Sequence, residues 1–149
     1  MKARVVIVVM AAWSGSLWTI CALVAPSLFA VLPDRHVAGE LAGYFFRAAT
    51  WLGVAFGAVV LALLWSLPRR RGMLMLAVAT MLAPVLSEIV VRPLMSSARA
   101  AGEMSRFGLL HGVAALLFAA ATVTALVLLW RVSALPPHAL AASGKTIRG

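Results

Sequence analysis

The sequence predicts an all-α integral membrane bundle of four transmembrane helices, and three observations carry that prediction. The chain of 149 residues is 64% hydrophobic and only 11% charged, whereas a soluble domain carries about a quarter charged residues. Its mean hydropathy is +1.04. The apolar residues gather into four runs, each near the roughly 20 residues that a spanning helix needs. A soluble fold of this size leaves too much surface in water to conceal such runs, so the expected solvent is lipid. The runs are too long and too unalternating for barrel strands, which leaves helices as the spanning form.

The first span covers about residues 5–25, preceded by Lys2 and Arg4 and expected to bend or end at Pro26. A basic start followed by apolar residues also opens a secretory signal. From Val5 to Pro33, however, no residue but Cys21 is ionisable, a stretch far longer than a signal core. Ile20 is too bulky to precede a lipoprotein cysteine. The reading is an uncleaved first helix. The second span covers about 41–67 and carries Arg47 in its first turns. The third covers about 72–91 and contains Pro84 and Glu88. The fourth covers about 107–130, with His111 as its one ionisable residue.

Short connections join the spans. Residues 34–40 link the first pair, and Pro68 to Arg71 is tight enough to force an antiparallel hairpin. Pro93 to Arg106 is longer and is expected at the membrane surface. Residues 133–149 are rich in Pro, Gly, Ser and Ala and read as a disordered cytoplasmic tail outside the 1–132 transmembrane domain.

The net charge of +9 does not point to nucleic acid, because the cations sit at the ends of apolar runs and form no basic stripe with aromatics. Their distribution sets orientation instead. Lys2, Arg4, Arg69, Arg70, Arg71, Arg131, Lys145 and Arg148 make eight on one side. Arg35, Arg92, Arg99 and Arg106 make four on the other, with Arg47 inside a span. The excess predicts both termini in the cytoplasm of a plasma membrane or bacterial inner membrane.

Charges at membrane depth are costly enough to need a partner or a purpose. At 1.5 Å per residue, Arg47 lies about 27 Å from Trp65, Glu88 about 24 Å from Gly72, and His111 about 28 Å from Trp130. Three helices thus bring a polar group to about one level near the outer interface. Arg92 follows Glu88 at i+4, a favourable order for an ion pair. Pro84 lacks an N–H and frees the Thr80 carbonyl, and His36 can reach the same mouth. The candidate cluster is therefore Arg47, Glu88, Arg92 and His111. Two readings of it stay open: a clamp that pins helices together, or an outward site for an ion, proton, small molecule or lipid headgroup.

Helices in lipid approach through small residues. Gly53 and Gly57 form one such stripe, Gly15 with Ala11 and Thr19 another, and Gly108 with Gly112 a third. They serve packing within the bundle or a face for self-association. Other chemistries lack their residues. Haem held by two histidines needs a second embedded imidazole. Met73, Met75 and Met81 do not converge as metal ligands, and Ser14 and Ser16 have no base. Phosphate loops, zinc motifs and nucleotide fingerprints are missing. No catalytic residue, cofactor or metal is expected.

Several local patterns occur together: Trp13-x-Gly15, then Val24-Ala25-Pro26-Ser27-Leu28-Phe29, then Ala38-Gly39 and Ala42-Gly43 with Phe46. Arg92-Pro93 and Arg106-Phe107-x-x-Leu110-His111 follow. With its four-helix order, the chain resembles the domain of unknown function 4149 family, bacterial relatives of transmembrane protein 205, over about residues 5–131. The resemblance implies a small multi-pass protein without an established activity, and it matches Pro26 and His111. The expected function is that of a non-enzymatic scaffold or accessory protein in the lipid bilayer, bound to another membrane protein or to itself. The alternative is a small transporter or ligand-binding protein that uses the outer cluster.

Overall fold

Asp34 shows how local chemistry redraws the sequence reading. Its carboxylate accepts from the backbone N–H of His36 at 2.7 Å and of Val37 at 3.4 Å, satisfying donors that a helix start leaves open. Residues 35–40, read as a connection, are therefore the first turns of a helix. In the computed structural model, which describes residues 2–65 and 71–134, there are four long helices. We label them α1 (Lys2–Trp18, a π-helical turn Thr19–Val24, and Ala25–Val31), α2 (Arg35–Leu64), α3 (Arg71–Leu86, a π-helical turn Ser87–Val91, and Arg92–Ala100) and α4 (Met104–Ser133). Each is long and apolar enough to cross a membrane, and no strand occurs among the described residues. Most of the Pro68 to Arg71 hairpin and of the tail from 133 onward lies outside the described residues.

Two prolines placed at helix ends by the sequence are carried within helices. Pro26, expected to bend or end α1, does not end it, and α3 runs on through Pro93. Each follows a π-helical turn whose last bond runs from residue i to i−5: Ala25 N–H to the Ile20 carbonyl, and Arg92 N–H to the Ser87 carbonyl. The next donor in that register is the proline, which has none, so the widened turn absorbs the missing bond instead of breaking the helix. α3 therefore continues to Ala100. It stops where Gly102 takes φ 74°, with Gly102 N–H bonded to Arg99 and Glu103 N–H to Ala98 at 2.9 Å. That pairing is a Schellman end, for which glycine is the natural residue.

α1 packs on α2 and α4, and α3 packs on the same two helices. The order around the bundle is thus the order in sequence, as short connections dictate. Most of the large buried side chains interlock at one end, while Phe46 packs on the buried Phe118 nearer the other, with ring centroids 4.6 Å apart. Val6, Met10, Trp13 and Leu17 of α1 meet Val60 and Leu64 of α2, Met73 of α3, and Leu128 and Val132 of α4. Because Val6 and Val132 share this core, the described start of α1 and end of α4 lie at the same end. The rest of α1, Thr19–Val31, buries no residue.

Candidate functional site

At the end opposite that core, α2 and α3 are joined by a charged clasp. Arg47 Nε donates to Glu88 Oε1 at 2.7 Å. Arg92 Nη1 donates to Glu88 Oε2 at 3.0 Å and to the Gly43 carbonyl at 3.2 Å. The carboxylate is shielded and the arginines are not: side-chain exposure is 15% for Glu88, 52% for Arg47 and 38% for Arg92. Local structure supplies the geometry. Glu88 belongs to the π-helical turn ahead of Pro93, and Arg92 is the residue that caps it. Arg47 and Gly43 stand one turn apart on the facing side of α2. A Cβ at Gly43 would stand 3.6 Å from Arg92 Nη2, an ordinary contact, so what Gly43 contributes to the clasp is its carbonyl. Charge-assisted bonds to one carboxylate from two helices fix their relative height.

His111 is not part of this clasp. Its side chain is exposed on α4 and stacks on Phe107, with ring centroids 6.2 Å apart. The shared depth was readable, but depth does not fix whether a side chain is covered. The buried stripe of α4 runs through Phe118, Ala121, Thr122, Ala125, Leu128 and Val132, and His111, seven residues before Phe118, continues the Val132–Ala125–Phe118 line yet is exposed at its own height. The histidine joins a different assembly. Arg99 Cζ sits over the Phe107 ring, 4.4 Å from its centroid, and Arg99 Nη1 lies 3.3 Å from His36 Nδ1. His36 Nε2 lies 3.4 Å from Glu40. This second chain ties the tops of α2, α3 and α4. The reach of His36 toward this end and the i,i+4 spacings of His36 with Glu40 and of Phe107 with His111 were its legible signs.

The small-residue stripes divide in the same way. Gly53 and Gly57 are buried. A Cβ on Gly53 would meet Trp13 Nε1 at 3.2 Å, and one on Gly57 would meet Met81 Sδ at 2.8 Å. Gly15, Gly108 and Gly112 have no neighbour within 4 Å of such a Cβ, so the expectation that they pack inside the bundle is corrected. On α1 the large residues Met10, Trp13 and Leu17 define the inner face, which turns Gly15 outward.

Polar side chains inside the bundle mostly find partners. The Thr80 and Thr124 hydroxyls lie 2.9 Å apart across α3 and α4. Cys21 Sγ lies 3.7 Å from Thr122 Oγ1 across α1 and α4. Ser16 donates to the Trp13 carbonyl. Ser14 is buried, and its hydroxyl has no hydrogen-bond partner among the described residues.

Comparison with known proteins gives one result. No curated protein and no solved structure matches the chain. Among protein families, the one described as "Domain of unknown function (DUF4149)" matches residues 8–104. That stretch takes in both π-helical turns with their prolines and all three residues of the clasp, while the Phe107, Leu110 and His111 pattern lies beyond it. Since the match covers more than half of the sequence, the chain belongs to the DUF4149 family.

Proposed function

We propose that this chain is a multi-pass integral membrane protein, with both termini in the cytoplasm, that acts without catalysis as a scaffold or accessory subunit for another membrane protein. The observation that carries the reading is the closure of Glu88. Both of its oxygens accept bonds from arginines on two helices, so the carboxylate is committed to holding the bundle. A transporter built on this cluster would need Glu88 open to a solute.

The exposed face of α4 is consistent with a partner. Gly108, His111, Gly112, Ala115 and Ala119 are all exposed and fall at helical spacing on one side. Small residues let a second helix come close, and an imidazole among them offers a hydrogen bond that lipid tails cannot return. A photo-crosslinker at Gly112 in native membranes tests the assignment, with Leu82, exposed on α3, as the control. The expected result is a discrete protein adduct from Gly112 and none from Leu82. Equal lipid-only labelling at both positions contradicts it. The orientation has its own test: a cysteine at Ala101 reacts with an impermeant reagent added outside, and one at Pro68 is shielded.

A further inference from the structure

The clasp is not electrically balanced. Two guanidinium groups face one carboxylate, leaving one positive charge. Arg47 reaches Glu88 through Nε alone, and its two Nη groups have no protein partner among the described residues. Unpaired donors at the edge of hydrocarbon are costly, and a strongly hydrogen-bonding anion is what they fit.

The surface around Arg47 has an order that narrows the choice of anion. Tyr44, Arg47 and Trp51 lie at i, i+3 and i+7 on one face of α2, and all three are exposed. Tyr44 is about 31 Å along the helix from Trp65, close to the thickness of a bilayer core, so these two exposed aromatics suit its two interfaces. Arg47 then lies about 4.5 Å inside the upper interface, with Trp51 one turn deeper. Ile89 and Val90 of α3 are exposed beside Glu88. A phenol, a guanidinium and an indole thus succeed one another from interface to interior. A phospholipid presents the matching sequence of headgroup, phosphate and acyl chain.

We propose that Arg47 and Arg92 form a binding site for the phosphate of an anionic phospholipid in the leaflet at this end of the bundle. Arg47 supplies the free fork, and Arg92, held by Glu88 and the Gly43 carbonyl, supplies the second charge. The single surplus charge selects a lipid of net negative charge over a zwitterionic one. The proposal goes beyond scaffolding and stands apart from the exposed face of α4.

Native mass spectrometry of the full chain in neutral detergent tests it. Phosphatidylglycerol and phosphatidylcholine with identical acyl chains are offered, with inorganic phosphate as competitor. The expected preference for phosphatidylglycerol is about fivefold, the gain that one unbalanced cation gives toward an anionic lipid. Arg47→Gln leaves Arg92 and Glu88 as a neutral pair and brings the ratio near parity. Arg35→Gln, which removes an exposed cation from the same end, keeps the preference. Equal binding of both lipids by the unaltered chain overturns the proposal, and so does an equal loss in Arg35→Gln. Displacement by inorganic phosphate overturns the assignment to lipid in favour of a free anion. Should Arg47→Gln not fold, Arg47→Lys decides: a retained preference supports the site, and a lost one overturns it.

Discussion

The two ends of the bundle are held together by different physics. Near the described start of α1 and end of α4, Met10, Trp13, Leu17, Leu64 and Leu128 are fully buried in one interlocked cluster. At the opposite end, most buried hydrophobic positions are alanines, among them Ala38, Ala42, Ala49 and Ala98. Thin alanine contacts hold helices weakly, because within a bilayer association depends on close packing and polar bonds and not on transfer out of water. The Arg47–Glu88–Arg92 clasp and the Arg99–His36 contact lie at this second end. The difference teaches that a polar cluster in a membrane-type bundle can replace core volume where the core is thin.

Substitutions should separate the two mechanisms. The largest effect is expected from Gly57→Leu at the packed end. Even a Cβ there lies 2.8 Å from Met81 Sδ and 3.2 Å from Met81 Cβ, so the flexible tip of Met81 cannot clear the space alone. Overpacking of this kind costs about 1–3 kcal/mol and occasionally more, read as lost folded yield or a lowered thermal midpoint in detergent. Gly53→Ala, against the Trp13 indole, should cost less. If both are tolerated as well as Gly112→Ala, the packing argument is lost.

Next comes Glu88→Gln. It leaves two arginines without their counter-charge, and the penalty should reach about 1–3 kcal/mol, below that of a fully buried pair because both arginines keep access to the surface. Glu103→Gln removes only an exposed pair with Arg106 and should change stability by less than about 1 kcal/mol. Comparable losses in the two variants would remove the clasp from the list of stabilising features.

The smallest effects have the opposite sign. Gly15→Ala meets open space within a helix, where alanine is favoured over glycine by about 1 kcal/mol. Ser14→Ala removes a buried hydroxyl that lacks a partner among the described residues, and a gain of up to about 1 kcal/mol is expected. A clear loss of stability in Ser14→Ala would mean that the hydroxyl is bonded in the folded protein.

Much of this was legible in the sequence, and the reasons differ by residue. Helix number followed from apolar run length, which bilayer thickness constrains. Arg47 and Glu88 could be paired because charges at membrane depth need partners and both fall at one level. His111 shares that level and continues the line of Phe118, Ala125 and Val132, yet it stays exposed, because whether a helix face is covered at a given height depends on the neighbouring helices. Pro26 and Pro93 misled for a related reason. Proline forbids one hydrogen bond, and whether a helix breaks or widens into a π-helical turn is settled by the packing around it. Gly43 showed only as part of the Ala42-Gly43 pattern and not as a partner of the clasp, because its role there is a backbone carbonyl.

The central claim is that the clasp holds the end where the core is thin. Hydrogen–deuterium exchange on the unaltered chain and on Glu88→Gln tests it most directly. Exchange should accelerate in residues 35–47 of α2 and 88–100 of α3, while residues 57–64 and 73–81 keep their protection. Uniform acceleration along both helices, or no change at the clasp end, would contradict it.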